Sequence, residues 1–193
     1  MKLAHTLFAA SIAALVLTGP AQAADYAIDT KGNHAAIGFR IKHLGFSWLS
    51  GRFDKFAGTF AFDAAKPEAS KVKVEIDTAS LNSNHAERDK HLKSADFIDA
   101  GKFPKATFES TAVKPAGDGK ATVVGNLTLH GVTKEIMIAA EHVGGGSDPW
   151  GGVRDGFTGT TTLKLADFGI DAAKLGPSSA EVLLTLDIEG VKQ

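Results

Sequence analysis

Cysteine is absent from the 193 residues, so the chain builds no disulfide, no thiolate metal site and no cysteine nucleophile. Charge of one sign is absent too. Lys and Arg number 21 against 22 Asp and Glu, a formal net of −1, and no basic stripe supplies the electrostatic attraction that nucleic-acid binding needs. That class of partner is set aside. Proline is scarce, at six, and no apolar run after residue 23 approaches the ~20 residues of a spanning helix. What the chain does have is glycine (21) and phenylalanine (12), with 44% hydrophobic and 22% charged residues. Such a composition suits a folded globular domain and not a disordered chain.

The first 23 residues read as a secretion leader. Lys2 and His5 precede the apolar run Leu7 to Leu17, and Ala21-Gln22-Ala23 has the small-residue form of a cleavage site. The expected mature chain is one domain over residues 24–193, located in the periplasm. No cysteine follows the leader to carry a lipid anchor.

Period two dominates the remainder. Ile37, Phe39, Ile41 and His43 share one face of a strand, and Gly38, Arg40 and Lys42 the other. The rhythm returns over Phe56 to Phe62, Val72 to Ile76, Thr107 to Val113, Val123 to Leu129, Ile136 to Ala140, Phe157 to Leu163 and Val182 to Ile188. About eight strands follow from this alternation, separated by turn-forming stretches such as Asp63 to Glu68, Pro115 to Gly119, His130-Gly131 and Gly144 to Pro149. One stretch breaks the period. Asn84-His85-Ala86-Glu87 has the form of a capping box, and His85 to Lys93 holds neither glycine nor proline, which predicts a short helix acting as a lid or plug. Eight antiparallel strands with one apolar face close as a barrel or stack as two sheets. Glycines on inward rows, Gly58, Gly125 and Gly159, favour the barrel, where they either turn its corners or leave room for a ligand.

Catalytic and metal motifs are missing. Six histidines follow the leader, His34, His43, His85, His91, His130 and His142, and no two have the i, i+4 spacing of a helical zinc site. The Gly144 to Gly152 loop lacks the Gly-Lys-Ser/Thr of a phosphate-binding loop, and no serine sits in a Gly-x-Ser-x-Gly elbow. The chain is expected to be no enzyme, with no catalytic residue, no metal and no cofactor. The inward aromatic and branched residues serve as core on the plain reading. Inward glycines, the helical flap and polar groups near strand ends are together the makings of an apolar pocket with a few placed polar groups.

Several blocks then resemble a known family. They are Ile41 to Ser47 (IKHLGFS), Asn84 to Phe97 (NHAERDKHLKSADF), Leu127 to Lys134 (LTLHGVTK), Asp148 to Gly152, Asp167 to Ile170 and Leu175 to Pro177. In this order, across Asp25 to Lys192, the sequence is similar to the YceI-like family of bacterial periplasmic proteins. Glu135, where the family often has proline, and Ala35, where a small hydroxyl residue is common, depart from the pattern. The resemblance implies an all-β fold, an extended eight-stranded antiparallel lipocalin-like barrel with a short helical insertion. It also implies binding of a polyisoprenoid or similar long-chain amphiphile, an isoprenoid quinone or a prenyl phosphate.

On that basis Ile37, Phe39, Ile41, Phe60, Val74, Ile76, Leu127, Leu129, Leu163, Leu184 and Leu186 are expected to line a tunnel for one isoprenoid tail. Phe97 and Trp150 are expected to close its mouth, and His43, Arg88, His91 and Arg154 to hold the head group. Arg88 has a plainer role open to it, pairing with Asp89 to pin the helix. Expected partners are the long-chain isoprenoid lipid and, in transient contact, a membrane or a lipid-delivering protein, with the chain a monomer or homodimer. Two rival functions stand beside carriage. One is lipid modification at the mouth dependent on His43 or His91, and the other is a stress-response interaction scaffold with a packed interior.

Overall fold

The computed structural model describes residues 23–193. The leader expected over residues 1–23 lies, but for Ala23, outside them. Eleven strands form one antiparallel sheet: β1 (Ala24–Ile28), β2 (Ala36–His43), β3 (Ser47–Phe53), β4 (Phe56–Phe62), β5 (Lys71–Asp77), β6 (Leu81–Asn82), β7 (Lys105–Gly117), β8 (Lys120–Leu129), β9 (Val132–Ser147), β10 (Val153–Lys164) and β11 (Glu181–Lys192). Their order is β1-β4-β5-β7-β8-β9-β10-β11-β2-β3-β6, and β1 also pairs with β11, which closes the wall.

The closed barrel has eight wall positions because three of them are interrupted. β1 and β2 flank β11 in succession, β1 against Gly190 to Lys192 and β2 against Val182 to Asp187. β4 pairs with β1 while β3 pairs with β2, and β5 and β6 then pair with β4 and β3. Each interruption lets a wall position bend where a straight strand would leave the barrel's curvature. Each period-two run in the sequence marks one of the eight positions. The short β1, the largely exposed β3 and the two-residue β6 lack a clear apolar alternation.

Glycines of the inward rows permit close approach of their neighbours. A side chain at Gly125 would meet the Phe108 ring at 2.5 Å and the Glu109 carbonyl at 2.6 Å, so glycine there permits close approach of β8 to β7. Gly159 lines the cavity, and a side chain there would meet Ile138 Cγ2 at 3.0 Å and the Ala139 carbonyl at 3.4 Å, a milder crowding than at Gly125.

The two ends of the barrel differ. At one end lie the β2–β3 turn, the β5–β7 connection carrying helix α1 (Ala86–Leu92), and the Leu165–Phe168, Ala172–Leu175 and Pro177–Ser179 3-10 turns between β10 and β11. Phe97 from the first connection and Leu165, Phe168 and Ile170 from the second pack with Phe108, Leu127, Ile138 and Leu163 of the wall. This cluster seals the end as a solid floor. A second cluster, including Tyr26, Ile28, Ile37, Phe60, Val74 and Ile76, lies under β1, β2, β4 and β5. The helix starts one residue later than the capping box predicts. His85 is the N-cap, its Nδ1 accepting from the Arg88 N–H at 3.2 Å, while Asn84 turns through a left-handed conformation (φ 64°). Asn84 cannot be both the turn and the cap, because an N-cap residue is extended.

Candidate functional site

Inside the barrel is a cavity of about 380 Å³, within the range of small-molecule sites. Its wall is apolar, built from inward residues of β4, β5, β7, β8, β9, β10 and β11 such as Phe60, Val74, Phe108, Val123, Ile138 and Leu186. It opens at the end opposite the helix, where Ala64, Pro67, Ser70, Lys71, Gly117, Gly119, Lys120 and His142 form the rim. The void is therefore a blind pocket over a solid floor and not a through-tunnel.

Of the residues expected to line it, Ile37, Phe60, Val74, Ile76, Leu127, Leu184 and Leu186 do so. Ile41, Leu129 and Leu163 belong to the floor packing instead, and Phe39 is taken up by Phe53, at 6.0 Å between rings, and by the backbone of Gly51. The expected mouth and head-group residues need the larger correction. Phe97, 3% exposed, is in the floor, because the segment after α1 folds into the closed end. Trp150, 81% exposed on the β9–β10 turn, does not reach the cavity. His43 ends β2 at the helical end, exposed. Arg88 is spent on Ser83, donating to its Oγ at 2.8 Å and its carbonyl at 2.5 Å, and does not pin Asp89. Asp89 also binds Ser83, at its N–H. His91 meets Asp96 at 3.3 Å and the edge of Phe97.

Arg154 holds the barrel wall. From β10 it donates to Asp29 (2.7 Å), Glu189 (2.6 Å) and Asp148 (2.8 Å), which belong to the link after β1, to β11 and to the β9–β10 turn. The guanidinium holds the Asp29 carboxyl far below its ordinary value, helped by the Gly32 N–H and by His34, and the three carboxylates raise Arg154 in turn. Asp29, His34 and Glu189 bring ligand atoms within 4.8 Å of one another in the manner of a metal site. The Arg154 guanidinium already supplies the positive charge among them.

Four polar residues not singled out in the sequence lie by the open end, Ser70 and His142 on the cavity lining and Asp155 and Tyr26 bonded behind His142. Asp155 is buried between His142, whose Nε2 lies 2.5 Å from Oδ1, and Tyr26, whose hydroxyl donates to Oδ2 at 3.4 Å. Burial first, then the Asp155 charge and hydrogen bond, push the Tyr26 phenol above its ordinary value. The His142 ring packs against Phe62 and Phe157 at 5.2 and 5.1 Å, and Phe60 stacks on Tyr26 at 4.8 Å. Ser70 Oγ is, among the described residues, the buried side-chain polar atom without a hydrogen-bond partner. A signal for three of them was present in the alternation. Carried one step past its last apolar residue, the run Ile136-Ile138-Ala140 reaches His142, Phe157-Gly159 carried backwards reaches Asp155, and Val72-Val74-Ile76 carried backwards reaches Ser70.

No helix among the described residues is long and apolar enough to cross a membrane. Residues 26–190 match the family described as YceI-like domain. A UPF0312 protein of Ectopseudomonas mendocina is 56% identical over 191 residues, covering 99% of this chain and all of that one. Among solved structures, Burkholderia cenocepacia BcnA superposes with a TM-score of 0.75 at 24% identity, covering 84% of this chain and 98% of its own. A polyisoprenoid binding domain from Saccharophagus degradans, implicated in plant cell wall breakdown, gives 0.65 at 17% identity, covering 87% and 98%. At these identities the two structures share the fold.

Proposed function

We propose, from the premise that the chain belongs to the YceI-like domain family, that it binds the tail of a polyisoprenoid or similar long-chain amphiphile inside its barrel and carries or stores it in the periplasm. The observation that carries this reading is the apolar cavity, open at one end and floored at the other. A void of this size lined by aromatic and branched side chains is costly to leave filled with water and offers no hydrogen bonds along most of its depth. An apolar tail removes that surface from water at about 25 cal/mol per Å². That the domain sharing this fold is a polyisoprenoid binding domain in another organism supports the tail chemistry.

Area alone does not set the affinity. At ~0.8 kcal/mol per buried CH₂, eight five-carbon units would nominally exceed the ~18–21 kcal/mol ceiling on non-covalent binding. Freezing the chain has an entropic cost, and a bilayer gives the tail an equally apolar surrounding. The balance between bilayer and barrel is close, as a carrier requires. Lipid modification dependent on His43 or His91 gains nothing from the geometry, since both lie at the closed end. Nor does a scaffold with a packed interior agree with the cavity.

Native mass spectrometry of the protein purified from its own periplasm, followed by organic extraction, tests the reading. The expected result is a bound amphiphile. An empty protein that gains no thermal stability from added prenyl lipids refutes it.

A further inference from the structure

We propose that the β2–β3 hairpin at the closed end docks the protein on the surface of an anionic lipid bilayer. The inference is independent of what the barrel holds, and the mouth at the opposite end stays uncovered in the docked protein.

Three large apolar side chains crowd the tip. Phe46 is 85% exposed, and Leu44 and Trp48 are each about half exposed. Single exposed apolar residues are ordinary, but three within five positions form a patch that water disfavours. The turn that carries them is strained. Leu44 and Gly45 both have positive φ, 51° and 84°, and the Phe46 N–H donates to the His43 carbonyl at 2.9 Å, the pattern of a type I′ turn. Asparagine suits the first of those two positions, whereas a bulky residue is uncomfortable there. Strain kept at such a place points to a role for the side chain. Leu44 rests beside Gly176, and Ser179 pins the stem, its Oγ donating to the Lys42 carbonyl at 2.6 Å, so the tip is presented from fixed backbone.

Charge selects the kind of surface. No aspartate or glutamate occurs from residue 36 to residue 53. Arg40 and Lys42 stand on the outward face of β2, in no ion pair with a described residue, and flank the Trp48 ring at 5.0 and 5.6 Å from its centre. Arg52 is matched by Asp54 at 2.6 Å. Glu181 lies beside Lys42 and Trp48 on the outer wall, and Lys164 stands opposite it in the β10–β11 register. Among these residues four cations meet two carboxylates, which leaves the hairpin and its surroundings positive.

A tip both apolar and basic has the composition of an interfacial anchor. Tryptophan settles at the level of the lipid headgroups, apolar side chains enter the acyl boundary, and each nearby Lys or Arg strengthens binding to anionic lipid about fivefold. The side chains project from a two-residue turn and not from a groove, a shape suited to a soft surface. A second copy is a poorer occupant. Two tips brought together would set Arg40 and Lys42 of one against Arg40 and Lys42 of the other, and like charges across an interface oppose association.

Flotation of the protein from Ala24 onward with vesicles free of prenyl lipid tests the proposal, using phosphatidylcholine with and without about 30% phosphatidylglycerol. Binding is expected to be about tenfold stronger or more with the anionic lipid, and to weaken as salt rises. Replacing Arg40 and Lys42 together by glutamine should weaken it about twentyfold on the anionic vesicles. Phe46→Ser should weaken it about tenfold, and Leu44→Asn about threefold while the Tm stays or rises, because the turn is relieved. The two tryptophans report which end docks. In Trp150→Phe the Trp48 emission should shift to the blue on anionic vesicles, and in Trp48→Phe the Trp150 emission should stay where it is. No flotation, equal flotation without the anionic lipid, or a blue shift of Trp150 in place of Trp48 overturns the proposal. A concentration-dependent dimer that Phe46→Ser disperses, with no flotation, overturns it in favour of a second copy. Stabilisation of Phe46→Ser by added prenyl lipid should equal the parent's, so that loss of docking and loss of tail binding are read separately.

Discussion

Replacing Phe97 by alanine separates a floor from a gate. Phe97 is 3% exposed and packs with Phe108, Leu127, Ile138, Leu163, Leu165, Phe168 and Ile170 at the closed end. Truncating a phenylalanine in such surroundings removes its transfer free energy and leaves a void that the wall strands cannot collapse into, about 3–5 kcal/mol in total. With unfolding entropies near 2.1 cal/mol/K per residue and roughly 170 residues, that loss lowers Tm by about 8–14 °C. The rate at which a prenyl probe enters should not change, because the opening lies at the other end of the barrel. Differential scanning calorimetry on the ligand-free protein gives the first quantity, and stopped-flow fluorescence with an environment-sensitive prenyl analogue gives the second. A variant that melts within about 2 °C of the parent and takes up the probe several times faster would place Phe97 at the mouth and refute the assignment of the two ends.

Three further outcomes are expected. Ala140 lines the cavity, so Ala140→Phe should fill space with little change in the Tm of the empty protein and abolish the stabilisation given by added prenyl lipid, both read in one thermal-shift series. Gly125→Ala forces a methyl to within 2.5 Å of the Phe108 ring and 2.6 Å of a neighbouring carbonyl, and about 1–3 kcal/mol should be lost in urea titration. The Asp29 and Asp148 carboxyls are held below their unfolded values chiefly by Arg154. Each therefore contributes stability that is complete above about pH 4 and is lost as pH falls through the lower folded value. Arg154→Met removes that lowering, so the fall in stability on acidifying below pH 4 should flatten, as followed by urea midpoints between pH 2 and 6.

The barrel was legible because alternation is a local signal. Each of the eight runs, from Ile37 to His43 through Val182 to Ile188, could be recognised without knowing its neighbours, and each became one wall position. The interruptions were not. β3 carries Trp48 on its outer surface and glycine at position 51 inside, so its apolar face is too thin to stand out. Which end is closed depends on Phe97 meeting Phe168 and Ile170, contacts between segments some 70 residues apart. No periodicity reports such a contact, which is why Phe97 reads as a mouth residue in the sequence, while Trp150 stands exposed on the β9–β10 turn. The head-group candidates failed for a different reason. Charge in the sequence stands out in the helix and the glycine-rich loop, whereas the polar residues on the cavity wall are the final steps of apolar rows, where a run of hydrophobic residues ends in Ser70 or His142, with Asp155 bonded to His142.

The wall is not equally strong all the way round. β10 and β11 are joined over eleven residue pairs, while β1 meets β11 over three, Tyr26 with Lys192, Ala27 with Val191 and Ile28 with Gly190. Arg154 is the buckle of this short ladder, reaching from β10 across β11 to Asp29. The rest of the same β11 edge is held by β2 over six pairs, Val182 with Ile41 to Asp187 with Ala36, so the β1 stretch is the end of that seam that leans most on Arg154. Amide exchange at Tyr26 to Ile28 should be the first in the barrel to quicken when the buckle is removed.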